Sequence, residues 1–107
     1  MQAPNRIQQL TNMLQDDPND LFLNYALGLE YAVQGNGATQ AEAQFLKVLQ
    51  LNPAYIAAYY QLGKLHEQLQ RVPEALRFYK SGLEEARLQK NNKAINEFGE
   101  AIFMLED

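Results

Sequence analysis

His66-Glu67 opens like the H-E-x-x-H stretch with which a helix holds zinc and positions a general base. Gln70 stands where the second histidine must fall, so the pair supplies one nitrogen and no metal site. His66 by itself reads as a packed helix residue, with a pH switch or ligand as the alternative. Ser81 is the sole serine, and no Gly-x-Ser-x-Gly frame surrounds it to raise a nucleophile on a strand-to-helix turn. Gly35-Asn36-Gly37 lacks the Gly-Lys-Ser/Thr of a phosphate-binding loop and reads as a helix-ending turn. Asp16-Asp17 and Glu84-Glu85 are adjacent, and neighbours on a helix point apart and cannot share a proton. Cysteine is absent, which removes disulfides, thiolate metal sites and thiol nucleophiles. No enzyme, cofactor or metal centre is expected from these residues.

The elements that carry them are helical. The spacing of Ile7, Leu10 and Leu14 predicts a first helix over Asn5 to Asp16, broken by Asp17-Pro18-Asn19-Asp20. A second runs from Asp20 to Gln34 and is apolar on two sides, Phe22, Tyr25, Leu29 and Val33 on one and Leu23, Leu27 and Tyr31 on the other. Such a helix is either sandwiched or buried on one face and used on the other. Gly35 and Gly37 are expected to close it with a left-handed cap. Thr39 with Glu42 three residues later predicts a capping box at the start of a third helix ending near Leu51. A fourth is expected over Ala54 to Leu69, and a fifth from Pro73, a first-turn proline, to Leu88. Lys90-Asn91-Asn92 reads as a turn before a last helix over Lys93 to Leu105, with Ala94, Phe98, Ala101, Ile102 and Leu105 on one face. Nothing alternates with period two, so an all-α fold without a sheet is expected.

Length and charge bound the function. The 107 residues make one domain, able to bury roughly 60% or more of its unfolded surface. A net charge of −4 argues against a nucleic-acid or anionic-membrane surface, both of which need clustered Lys and Arg. Arg71, Arg77, Lys80, Arg87, Lys90 and Lys93 fall in the last third, but Glu74, Glu84 and Glu85 among them make this a solvated helix face. Pro4 and Asn5 stand where a signal peptide would place basic residues, and no apolar run approaches the roughly 20 residues of a membrane span. A soluble, cytoplasmic protein is the expectation.

The chain also repeats. Leu27-Gly28 recurs 35 residues on as Leu62-Gly63, as Pro18 does as Pro53. Ala41, Phe45 and Val48 recur 34 residues on as Ala75, Tyr79 and Gly82. A period near 34 marks stacked helical hairpins, each burying its apolar face only against its neighbours. These markers, in order and at this spacing from Leu21 to Leu88, resemble the tetratricopeptide repeat, with His66 replacing the aromatic that Tyr31 supplies in the first unit. The resemblance implies antiparallel hairpins stacked as a right-handed superhelix of bacterial type: an N-terminal helix at 5–16, repeat one at 20–53, repeat two at 54–88 and a capping helix at 93–105. Gly28 and Gly63 then let the helices of a hairpin approach closely, while Phe45 and Tyr79 fill the space between successive hairpins.

The resemblance further implies a protein–protein interaction module, an adaptor or scaffold that binds a peptide or helix in a concave groove. The lining residues carried over are Phe22, Tyr25, Leu29, Ala32 and Val33 from repeat one. Repeat two gives Ala57, Tyr60, Lys64, Glu67 and Gln68. Tyr25 and Phe22 could instead pack as core. Lys64 is the only cation among these positions, so a multi-residue clamp for a peptide carboxylate cannot be assembled. Phe103 and Met104 fall off the apolar stripe of the last helix and are expected to be partly exposed. They could close a weak homodimer or meet the N-terminal helix, and the former supports the alternative of a structural subunit acting through self-association or a fixed assembly.

Overall fold

A computed structural model of the chain describes residues 5–106; Pro4 lies outside them. Among the described residues every regular element is an α-helix: α1 (Arg6–Asp16), α2 (Leu21–Ala32), α3 (Ala38–Leu51), α4 (Ile56–Gln68), α5 (Val72–Leu88) and α6 (Asn92–Glu106). The chain divides between Pro53 and Ala54 into two compact units of three helices. In the first, α2 packs on both α1 and α3; in the second, α5 packs on both α4 and α6.

The first unit starts with two side-chain caps. Asn5 Oδ1 accepts from the Gln8 backbone N–H, and Asp20 Oδ1 accepts from that of Leu23, each at 2.8 Å. Each satisfies one of the donors that a helix start leaves unpaired. Asn24 is buried and its Nδ2 donates to the carbonyls of Pro18 (3.0 Å) and Asp20 (2.8 Å), tying the turn at 17–20 to α2. Leu10, Ala26 and Leu27 form the apolar centre between α1 and α2, flanked by Ile7, Leu14, Leu23 and Tyr31. Ala41, Phe45 and Val48 are fully buried on α3.

Two local expectations fail at the α2–α3 connection. No glycine among the described residues has a positive φ, so Gly35 and Gly37 make no left-handed cap. Gly37 is required for another reason: a Cβ there would collide with the Tyr31 carbonyl oxygen. Gly37 is also the N-cap of α3, so Thr39 is already inside the helix and the capping box with Glu42 does not form. The left-handed residues are Gln70 (φ 60°) and Lys90 (φ 56°). The Arg71 N–H bonds to the His66 carbonyl (2.8 Å) and that of Gln70 to Glu67 (3.0 Å). Asn91 bonds to Ala86 (2.9 Å) and Lys90 to Arg87 (3.1 Å) in the same way after α5. These are two Schellman closures, each made with a side chain in the place glycine usually takes.

The second unit is centred on Ala75, Tyr79, Ala86, Ala94 and Phe98. Its glycines correct the expected packing. A Cβ on Gly63 would collide with the Tyr79 ring, one on Gly82 with the Phe98 ring, and in the first unit one on Gly28 would come within 2.6 Å of Phe45. Each glycine admits a ring from the following helix of its own unit. The aromatic therefore sits in the hairpin interior, where the glycine leaves room, and Tyr79 also meets Phe98 of the helix that follows. Pro73 lies in the first turn of α5, where its missing N–H forfeits nothing. Asn91 Oδ1 accepts from the Ala94 N–H at 3.1 Å and caps α6.

Candidate functional site

Tyr60, Lys64 and Glu67 are four and three residues apart along α4, a spacing that brings them to one helix face. Glu97, Glu100, Ala101 and Met104 have the equivalent spacing on α6. Ala94 and Phe98 on the adjoining stripe of α6 are buried, which turns Glu97, Glu100 and Met104 outward. Between the two faces stands Tyr79 of α5. Together these residues line an open concavity of about 470 Å³ in the second unit.

Its floor is aromatic. The Tyr60 ring lies 5.7 Å from that of Tyr79 and 5.6 Å, edge-on, from that of Phe98; Tyr79 and Phe98 are 6.4 Å apart, also edge-on. Such tilted pairs satisfy the ring quadrupoles and fix the rings against one another. The Tyr79 hydroxyl donates to Glu67 Oε2 at 2.8 Å. Burial pushes the Tyr79 phenol far above its ordinary value of 10.0, and the hydrogen bond to Glu67, that carboxylate's charge and Tyr60 push it further the same way. Tyr79 is thus a neutral donor that pins Glu67. The Lys64 ammonium stands 5.9 Å from the Tyr60 centroid, at cation–π range. Glu97 and Glu100 are exposed on the opposite wall.

Of the residues expected from sequence, Tyr60, Lys64, Glu67 and Met104 come together here. Gln68 joins Lys64 and Glu67 in a smaller neighbouring depression of about 250 Å³. Phe103, 77% exposed, lies outside both. In the first unit Phe22 (65%) on α2 and Val33 (81%), the C-cap that follows it, are exposed, and Leu29 and Ala32 are half-buried. Tyr25 is half-buried with its ring 5.7 Å from Phe45, the same arrangement that Tyr60 makes with Tyr79. His66 is buried and stacked on Phe78, ring centroids 5.3 Å apart. Tyr79, Glu97, Glu100 and Ala101 were not singled out as site residues. Glu97 and Glu100 were accessible in principle, because the stripe assigned to the core leaves them aligned with Met104 beside it.

Arg6 pairs with Glu30 (3.5 Å) in the first unit and Lys80 with Glu106 (2.8 Å) in the second, both facing solvent. Pairs of that kind contribute at most about 1 kcal/mol. Among the described residues no three His, Cys, Asp or Glu side chains gather as metal ligands would, and no helix is long and apolar enough to cross a membrane.

The chain is similar to a tetratricopeptide repeat domain protein from Salinibacter ruber. Against that protein's solution structure the identity is 37%, covering 84% of this chain and 90% of the other, with a TM-score of 0.77. Against its crystal structure the identity is again 37%, over 81% and 97%, with a TM-score of 0.73. The solution structure of a protein from Bordetella parapertussis shares the fold at 24% identity, over 99% of this chain and 90% of that one, with a TM-score of 0.83. The chain matches no family model and no curated protein sequence.

Proposed function

Since the chain belongs to the tetratricopeptide repeat family, we propose that it is an adaptor that binds a peptide or helix of a partner protein, with the concavity of the second unit as its principal site. The observation that carries this reading is the juxtaposition of Tyr60, Lys64 and Glu67 on α4 with Met104 on α6, the last 72% exposed. An aromatic floor, a flexible thioether wall and a charged rim are the ingredients of a peptide interface. Phe22, Tyr25 and Leu29 on α2, with Val33 at its C-cap, offer the first unit's own contact face, supported by the exposure of Phe22 and Val33. The net charge of −4 supports a protein partner over nucleic acid or an anionic membrane. A cysteine-free sequence supports a cytoplasmic location, and the relative in Salinibacter ruber supports a bacterial source. The reading assigns no reaction and no cofactor.

The test is site-specific crosslinking. A photo-crosslinking residue at Met104 is expected to trap a partner protein in cells, and the same residue at Met13 on α1 is not. Adducts at neither position, or equally at both, would overturn the placement. A second reading, self-association, is favoured by the exposure of two consecutive apolar residues of α6, Phe103 and Met104. Sedimentation velocity over a concentration series decides it: dimer formation abolished by Phe103→Asp supports it, and a monomer throughout sinks it.

A further inference from the structure

Three carboxylates, Glu67, Glu97 and Glu100, line the concavity against one ammonium, Lys64. Glu67 is already engaged by the Tyr79 hydroxyl. Among the described residues no ion pair joins Glu97 or Glu100 to a cation, and the two lie three residues apart on one face of α6, an arrangement of like charges that is unfavourable in the empty site. The Tyr60 ring beside them presents a face to which a cation is already drawn, since the Lys64 side chain lies over it. Met104 and Ala101 complete an apolar wall next to the acids.

We infer that the occupant of this concavity is a basic segment of a partner protein, one Arg or Lys of which lays its aliphatic stem along Tyr60 and Met104 and its charged head between Glu97 and Glu100. The inference rests on the adaptor reading and deepens it by naming the partner's chemistry. Charge complementarity selects this occupant. An acidic peptide would meet three carboxylates, and a second copy of the chain brings a net charge of −4. Lys64 is then an internal stand-in that the incoming cation displaces from the Tyr60 face, so it weakens binding. That sign is opposite to the one expected of a groove lysine that captures a carboxylate.

The experiment uses the full chain and two labelled peptides of equal length with identical leucine positions, the remaining polar positions all Arg in one and all Glu in the other. Binding is read by fluorescence anisotropy at low salt, and the site by amide shifts in NMR spectra. The Arg peptide is expected to bind more tightly and to shift the amides of α4 and α6 around Lys64 and Glu100. Glu97→Gln and Glu100→Gln should each weaken it about two- to fivefold, the range of an exposed charge pair. Asp16→Asn on α1, which removes the same charge elsewhere, should leave it unchanged. Lys64→Gln should tighten it by a similar factor, and all these differences should shrink as salt rises. Preference for the Glu peptide, or equal losses for Asp16→Asn and Glu100→Gln, overturns the basic-segment inference. If Met104→Ala still weakens binding in that case, the concavity remains the site and only its charge preference was wrong. Failure of both peptides to shift α4 and α6 overturns the site along with the inference.

Discussion

Gln70 and Lys90 are the residues to replace with glycine, and Gly35 is one to replace with alanine. Gln70 and Lys90 hold φ values of 60° and 56° in the Schellman closures of α4 and α5. A residue with a Cβ pays about 1–2 kcal/mol for that conformation. Glycine removes the cost but has more freedom to lose on folding, which returns about 0.4–1 kcal/mol. The net expectation is a stabilisation of about 0.5–1 kcal/mol at each site, or about 1–2 kcal/mol for the pair, which share no hydrogen-bonding partner. In thermal unfolding that is a rise of roughly 4–8 °C per kcal/mol for a domain of this size.

Gly35 reverses the logic. Its φ is not positive, and a Cβ built on it meets nothing within 4 Å. Gly35→Ala should therefore stabilise by about 0.4–1 kcal/mol through the unfolded chain. The assay is urea unfolding followed by far-UV circular dichroism, with an unchanged m-value required before midpoints are compared. Gln68→Gly, at the last helical residue of α4, is the control and should lose up to about 1 kcal/mol. If Gln70→Gly falls alongside Gln68→Gly, or if Gly35→Ala destabilises, the left-handed closures are misplaced and the reasoning fails.

Gly63→Ala should destabilise by about 1–3 kcal/mol despite alanine's better helix propensity, because its Cβ collides with the Tyr79 ring; the same urea titration checks it. Asn24→Ala should cost about 1–3 kcal/mol in the same assay by removing both donors to the turn at 17–20, and Asn24→Asp should be no better because a carboxylate cannot donate. Tyr79→Phe should cost about 1 kcal/mol at neutral pH through the lost bond to Glu67. The Tyr79 phenol is raised in the folded state, so its contribution is complete below pH 10.0 and is lost as pH climbs beyond it. Stability measured at rising alkaline pH should fall more steeply for the wild type than for Tyr79→Phe, with Tyr59, also raised by burial, leaving a residual slope. Parallel curves would show that Tyr79 does not hold its proton in the folded protein.

The helices were legible because their signals are local and redundant: caps at Asn5 and Asp20, apolar spacing, Pro18, Pro53 and Pro73. The closures were not, because a glycine in the sequence states permission for a left-handed φ and not its use. Gly37 is there to spare the Tyr31 carbonyl, while Gln70 and Lys90 are driven left-handed by the two backbone bonds that each closure gains. Thr39 and Glu42 have the right letters for a capping box one residue too late, since α3 has begun at Ala38. Of the candidate site, the α4 half was named through the family resemblance, which carries groove positions onto that helix. The α6 half was not, since its placement depends on which helix Phe98 packs against, a contact between residues far apart in sequence.

That contact links the core to the site. Phe98 fills the space over Gly82 on α5, and its ring centroid lies 5.6 Å from that of Tyr60. The seat of Phe98 therefore fixes α6 against α5 and so sets where Glu97, Glu100 and Met104 stand relative to Tyr60. The same device at Gly63 seats Tyr79, whose hydroxyl then holds Glu67. Two glycines that touch no partner thus position both walls of the concavity. Rigid helices, not loops, carry its side chains, and a Cβ at Gly82 would press both on Phe98 of α6 and on Tyr59 of α4, the neighbour of Tyr60, so a change there reaches both walls of the concavity.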